Sequence, residues 1–349
     1  GWRGLSVPHI QVHRFASKEL GDVIERIWRG GVESPEVRAV LLNLIEMGRI
    51  DACADIAFNL ALDAEASSTE RVTAIDALVE LEDERLGGIA HAIATHDRSW
   101  PDRAAYGAVL RLFPKYMSGE QLCQTLRWMK LKGRSLSGFN RQLARLIATS
   151  ELAPPALEKL RDGLVALASE GLKWDQEHHR AVSDRTHLSE SLAATCVRGL
   201  DKGQIDEWLH ASVLALRLQH RDHSDGEPFQ SLLVRFGDLG AEDTAKLFWA
   251  ADALLQTIHG IKDPQRRFAD ITIHDGPVDL RSDRDLEWIR KALGDTKRDK
   301  GERAVLLEAA MRLPLNREVW NEHLKELKPL VADELSFMER IEEWLTPPK

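Results

Sequence analysis

The sequence predicts an all-α fold, arranged as an α-solenoid of stacked helical hairpins that is regular at its start and less so in its C-terminal half. Three observations carry this. Of 349 residues 43% are hydrophobic and 30% charged, the balance of a globular chain and not of a disordered one. Apolar residues recur at steps of three and four, which gives each helix one apolar stripe that must pack on a neighbour. Helix-start signals return at intervals of roughly 32–35 residues, the range of helical-hairpin repeats.

Taken in order, residues 1–17 form a lead-in that contains Pro8 and opens on Gly1-Trp2-Arg3, as expected for a piece of a longer chain. Repeats follow over 18–150. Ile24, Ile27 and Trp28 make the first stripe, Val37, Leu41, Leu44 and Ile45 the second, and Ala74, Ile75, Leu78 and Leu81 the third. Ser34-Pro35-Glu36 offers a cap, a first-turn proline and an acid near the positive helix end. Ser67 with Glu70 reads as a capping box, and Asp102 opens a helix after Trp100-Pro101. Ser118-Gly119-Glu120, Pro154-Pro155 and Asn316 mark later starts. Gly48, Gly133, Gly171, Gly203, Gly260 and Gly294 read as stops. Helices thus open near residues 35, 69 and 101, and their partners near 50, 83 and 118. Aligned on these starts, Glu36, Glu70 and Asp102 are first-turn acids. Leu44, Leu78 and Leu110 fall at core positions, and Met47, Leu81 and Phe113 close the helices. The run Ala74-Ile75-Asp76-Ala77-Leu78 resembles the core helix of HEAT-type repeats.

An irregular helical region is expected over 151–260, with patterns at 155–170, 186–200, 204–220 and 241–259 and a polar break at His220–Gly226. Residues 261–281 read as a loop or short extended element, because Phe268–Pro277 alternates briefly and ends in a turn signal. Residues 282–349 return to helix and close on Thr346-Pro347-Pro348-Lys349, which looks like the start of a linker.

Composition narrows the function. No apolar run approaches the roughly 18–20 residues of a membrane span, and no secretory signal is visible, so the expected setting is cytoplasmic. Cys53, Cys123 and Cys196 lie in apolar patterns without disulfide or zinc spacing. Neither Gly-x-x-x-x-Gly-Lys-Ser/Thr nor Gly-x-Gly-x-x-Gly occurs, nor Gly-x-Ser-x-Gly. No catalytic residue, cofactor site or metal site is therefore assigned. The nearest approach to a metal set is Asp175, Glu177, His178 and His179, with Asp184 and His187 beyond; His220, Asp222 and His223 form a second polar group. Helical ligands stand three or four apart on one face. Adjacent His178 and His179 point different ways, so polar inter-helix loops explain both groups better.

One stretch stands out against the net charge of −9. Arg127, Lys130, Lys132, Arg134, Arg141 and Arg145 occur between residues 121 and 150 without a single acid. Arg141 and Arg145 share a helix face, opposite Phe139, Leu143 and Leu146. Such a face suits phosphates or an acidic protein partner. Among ten tryptophans only Trp128 is interleaved with cations as a base-stacking platform requires.

Ser34–Arg38 with Leu41–Ala57, and Leu131–Phe139, resemble the helical-repeat region that follows the nucleotide-binding module in large bacterial NACHT/STAND-type signal-transduction ATPases, anti-phage defence proteins among them. The resemblance covers roughly the first 150 residues. It implies a sensor or scaffold arm with nucleotide hydrolysis carried elsewhere, and it transfers no catalytic residue. The expected function is a non-catalytic scaffold or sensor segment that recognises a protein or ligand. The rivals are a nucleic-acid-binding solenoid using 127–145 and an all-helical metal-dependent enzyme.

Overall fold

A computed structural model describes residues 14–97, 100–130, 133–178, 180–202, 205–219, 226–260, 278–313 and 316–346, with backbone alone for 133–137 and 317–318. The fold is all-α: the described residues form seventeen α-helices and one short hairpin. The chain divides into two compact units, residues 1–167 and 168–349. No described helix is long and apolar enough to cross a membrane.

The first unit holds α1 (Gly21–Arg29), α2 (Pro35–Gly48), α3 (Ala54–Leu62), α4 (Ser68–Glu80), α5 (Leu86–Ala94), α6 (Asp102–Leu112), α7 (Gly119–Trp128), α8 (Gly133–Thr149) and nearly all of α9 (Pro154–Ala168). Helices α2, α4, α6 and α8 pack each on the next, while α5 packs on α7. The caps are those the sequence announces. Ser34 Oγ accepts from the Val37 N–H, and Ser67 and Ser118 both close full capping boxes. Gly133, expected to stop a helix, is instead the first residue of α8.

The register is set by those caps. Seven, eight and eleven residues beyond Ser34 stand Leu41, Leu42 and Ile45; beyond Ser67, Ala74, Ile75 and Leu78; beyond Pro101, Ala108, Val109 and Leu112. All nine are buried. This corrects the expected core alignment, since Leu44 and Leu110 are only partly buried whereas Leu78 is fully so. Burying each leucine, isoleucine or valine among the nine stabilises the fold by about 1.5–3 kcal/mol.

Side-chain bonds between neighbouring helices repeat the same interval. Arg38–Glu70, Arg49–Glu80, Arg111–Asp76, Lys115–Glu82, Tyr106–Gln142 and Trp128 Nε1–Ile93 O all join residues 31 to 36 positions apart. Each helix of the row is thereby tied to the one a period away.

The second unit contains a hairpin, β1 (Lys173–Asp175) and β2 (Arg180–Val182), antiparallel with Trp174 opposite Ala181. Then come α10 (Ser189–Leu200), α11 (Leu209–Arg217), α12 (Glu227–Gly237), α13 (Ala241–His259), α14 (Ser282–Leu293), α15 (Lys300–Arg312), α16 (Arg317–Leu327) and α17 (Leu335–Leu345). The hairpin replaces the loop expected at 175–187; β1 lies on α13, where Trp174 packs against His259 at 4.6 Å between rings. The extended element expected within 261–281 falls mostly outside the described residues. Ile289, Leu293, Leu306, Leu307, Leu324 and Ile341 centre the core of α13–α17.

The cap spacing of the first unit returns in α15, a helix buried throughout from Arg303 to Met311. Its cap is Asp299, and the residues seven, eight and eleven beyond it are Leu306, Leu307 and Ala310, all buried. Four beyond the caps Ser34, Ser67 and Asp299 stand Arg38, Arg71 and Arg303. Nine beyond Ser67 and Asp299 stand Asp76 and Glu308, which pair with Arg111 and Arg340, 35 and 32 residues on. The alternation of cap, arginine, buried aliphatics and acid is therefore one local design used in both units.

Candidate functional site

The basic stretch at 127–145 separates into two groups. Arg127 is exposed in the last turn of α7 and already engaged within the fold; it also acts electrostatically on the Cys123 thiol below it. Lys130 follows the helix, exposed, and its backbone N–H donates to Asp102 Oδ1 at 3.1 Å. That bond ties the end of α7 to the start of α6. Lys132 lies outside the described residues, and Arg134 is placed on α8 by its backbone.

Arg141 and Arg145 form the second group. They project from α8 one turn apart, both exposed. The opposite side of the helix is buried: Phe139, Leu143, Ala144 and Ile147 are at most 1% exposed, while Leu146 sits at the margin. Gln142 beside them accepts from Tyr106 Oη of α6 at 3.2 Å, which fixes how α8 is rotated. The two guanidinium groups therefore face away from the core, and no described residue pairs with either. Long-range attraction of carboxylates or phosphates is what such a pair offers.

Trp128 does not present a free stacking platform. Its Nε1–H donates to Ile93 O at 3.1 Å, and one ring face is covered by His96 at 4.0 Å, nearly parallel.

The histidine-rich segment builds structure. Asp175 Oδ1 accepts from the backbone N–H groups of Glu177 and His178, and Oδ2 meets His178 Nδ1 at 2.9 Å. This is the turn that closes the hairpin. His187 stands apart on the following 3-10 turn, where burial and the nearby Arg185 push its pKa down to about 4. Among the described residues no three His, Cys, Asp or Glu side chains gather as a metal set. His179, His220, Asp222 and His223 lie outside them. The three cysteines are buried thiols outside any disulfide; burial pushes the Cys123 thiol up to about 12, which removes it as a nucleophile at neutral pH.

Arg303 and Asp285 are two of the buried charged groups that the sequence does not single out. Arg303 donates through Nε to Leu293 O, through Nη2 to Leu330 O, and to both oxygens of Asp333. Asp285, fully buried, accepts from the Arg281 N–H, Arg284 Nε and Nη2, and Trp288 Nε1. Arg284 in turn caps the carbonyls of Gly237 and Leu239 at the end of α12. Both clusters are internally satisfied and hold helix ends together; neither opens toward a ligand. Their signal in sequence was the spacing from Asp299 and the repeated acid-arginine alternation at 279–285.

No protein-family model, curated protein or solved structure matches this chain.

Proposed function

We propose that this chain is a non-catalytic, HEAT-like α-solenoid segment that recognises a protein partner, and that it serves as the sensor or scaffold arm of a larger cytoplasmic signal-transduction protein. The observation that supports it is the set of side-chain bonds one period long, together with the common cap register of α2, α4 and α6. Helices tied in this way present an extended surface, and binding along such a surface biases the orientation of whatever is attached. The chemistry of the interior agrees with the reading: the buried arginines and acids described above bond to one another and to helix ends. The resemblance of its early repeats to those of bacterial NACHT-type ATPases points the same way.

The test is a binding measurement on a defined pair. The tagged chain is recovered from its native cells, co-purifying proteins are identified, and each is prepared pure and titrated against the chain by calorimetry. A saturable complex of fixed stoichiometry is expected. The reading falls if no purified candidate binds, or if the purified chain alone turns over a substrate.

A further inference from the structure

The described arginine side chains are almost all employed. Among the arginines whose side chains the structure describes, only the guanidinium groups of Arg14, Arg26, Arg141 and Arg145 make no hydrogen bond, ion pair or ring contact. Two of the four stand one turn apart on a single helix. The chain has 56 acids, yet none of the 17 residues of α8 is one. Three surface cations elsewhere in the first unit meet an acid one period away: Arg49 meets Glu80, Arg111 meets Asp76 and Lys115 meets Glu82. Among the described residues the outward side of α8 meets no such complement. Beside the two arginines lie Gly138, with open space where a Cβ would be, and exposed Ala148. Small residues there let another helix approach to the roughly 8–10 Å of ordinary helix packing.

We propose that the ridge of Arg141 and Arg145 docks an acidic helix of a protein partner, each guanidinium meeting one of two carboxylates spaced a turn apart. This names the partner class for the recognition role proposed above and rests on it. Guanidinium forks pair with carboxylates in two parallel hydrogen bonds, so the ridge selects both the charge and the spacing of the incoming helix. Nucleic acid is the poorer occupant. Duplex binding draws its affinity from neutralising many phosphates at once, and two guanidinium groups one turn apart neutralise two.

The experiment uses the whole chain and two probes of equal net charge. One is a labelled synthetic helical peptide carrying glutamate pairs four residues apart along one face; the other is a short DNA duplex. Fluorescence anisotropy at low salt is expected to show binding of the peptide, weakened about tenfold by R141E/R145E and unchanged by R26E. A peptide with lysine in place of glutamate should bind R141E/R145E better than it binds the wild-type chain. Circular dichroism confirms the fold of each variant, and R141Q/R145Q replaces the reversal if that variant does not fold. Equal peptide binding by wild type and double variant overturns the proposal. So does tighter binding of the duplex with the same loss on reversal, which would make the ridge a phosphate site. The recognition role is judged separately: a native partner that binds R141E/R145E undiminished excludes the ridge and leaves the role standing, whereas the lack of any native partner removes both.

Discussion

Arg71 and Arg303 make the same bond from the same place in their helices. Each follows its cap by four residues, and each Nε donates to a carbonyl ten residues upstream, Ala61 at 3.0 Å and Leu293 at 2.9 Å. A guanidinium at this point holds the end of one helix against the start of another. Arg71 also lies over the buried Trp100 ring at 3.6 Å, and Arg303 binds Asp333 with both Nη atoms.

Replacing Arg71 with methionine keeps much of the volume and leaves the Ala61 carbonyl buried without its donor. A loss of about 2 kcal/mol is expected. Arg303→Met should lose more, because the Leu330 carbonyl and Asp333 are abandoned as well. Urea denaturation followed by tryptophan fluorescence measures both, and equal effects would contradict the ranking.

Gly199→Ala should destabilise, although alanine is the better helix former. A Cβ at Gly199 would stand 2.2 Å from the Trp208 ring, so either α10 or the segment before α11 must shift. Overpacking of this kind costs about 1–3 kcal/mol, enough to reverse the gain in helix propensity. A raised melting temperature for this variant would show that the ring yields easily.

Asp285 is one of the carboxylates that limit stability in acid. Burial would raise its pKa, but the hydrogen bonds from Arg284, the Arg281 backbone and Trp288 outweigh that and hold it below the ordinary 3.8. A carboxylate lowered in the folded state contributes stability at pH above 3.8, lost as pH falls through the lowered value. Asp285→Asn should cost about 3 kcal/mol at pH 7 and flatten this acid-side decline. Urea midpoints measured at neutral pH and stepped down below pH 4 check both parts.

Histidines act in a separate window. His323 Nδ1 accepts from Arg290 Nη2, so Nε2 must carry the proton that it donates to Ala310 O. Burial keeps His323 below the ordinary 6.5, and burial with Arg185 brings His187 to about 4. Both rings are neutral in the fold and take up protons when it opens. Their contribution is complete above pH 6.5 and declines as pH falls toward 4, ahead of the Asp285 effect. His187→Gln should reduce the slope of stability against pH in that interval, read from urea midpoints across it.

Caps and stripes made much of the fold legible. Ser34, Ser67 and Ser118 act locally: a hydroxyl and the N–H groups within three residues of it settle where a helix begins. The core register was read one residue off in α2 and two off in α6, since Leu44 and Leu110 compete with Ile45 and Leu112 in any pattern that counts leucines. Burial there follows the angle from the cap. The hairpin was missed because three-residue strands are too short to establish a period; an aspartate bonding the backbone of the turn decides it. The return of the register at Asp299 escaped because its pairs join residues far enough apart to be matched only in space. As for the candidate site, Arg141 and Arg145 were visible from spacing alone, but their lack of a complement was not. Arg127 reads identically in sequence and is engaged.

The acids of four period-long ion pairs, Glu70, Asp76, Glu80 and Glu82, all stand on α4 or just beyond it, and their cations stand on either side, Arg38 and Arg49 before them, Arg111 and Lys115 after. The row is therefore not built of interchangeable units. Excising the α4 period would bring four cations together without the acids that pair them, so α4 is the member that its neighbours cannot replace.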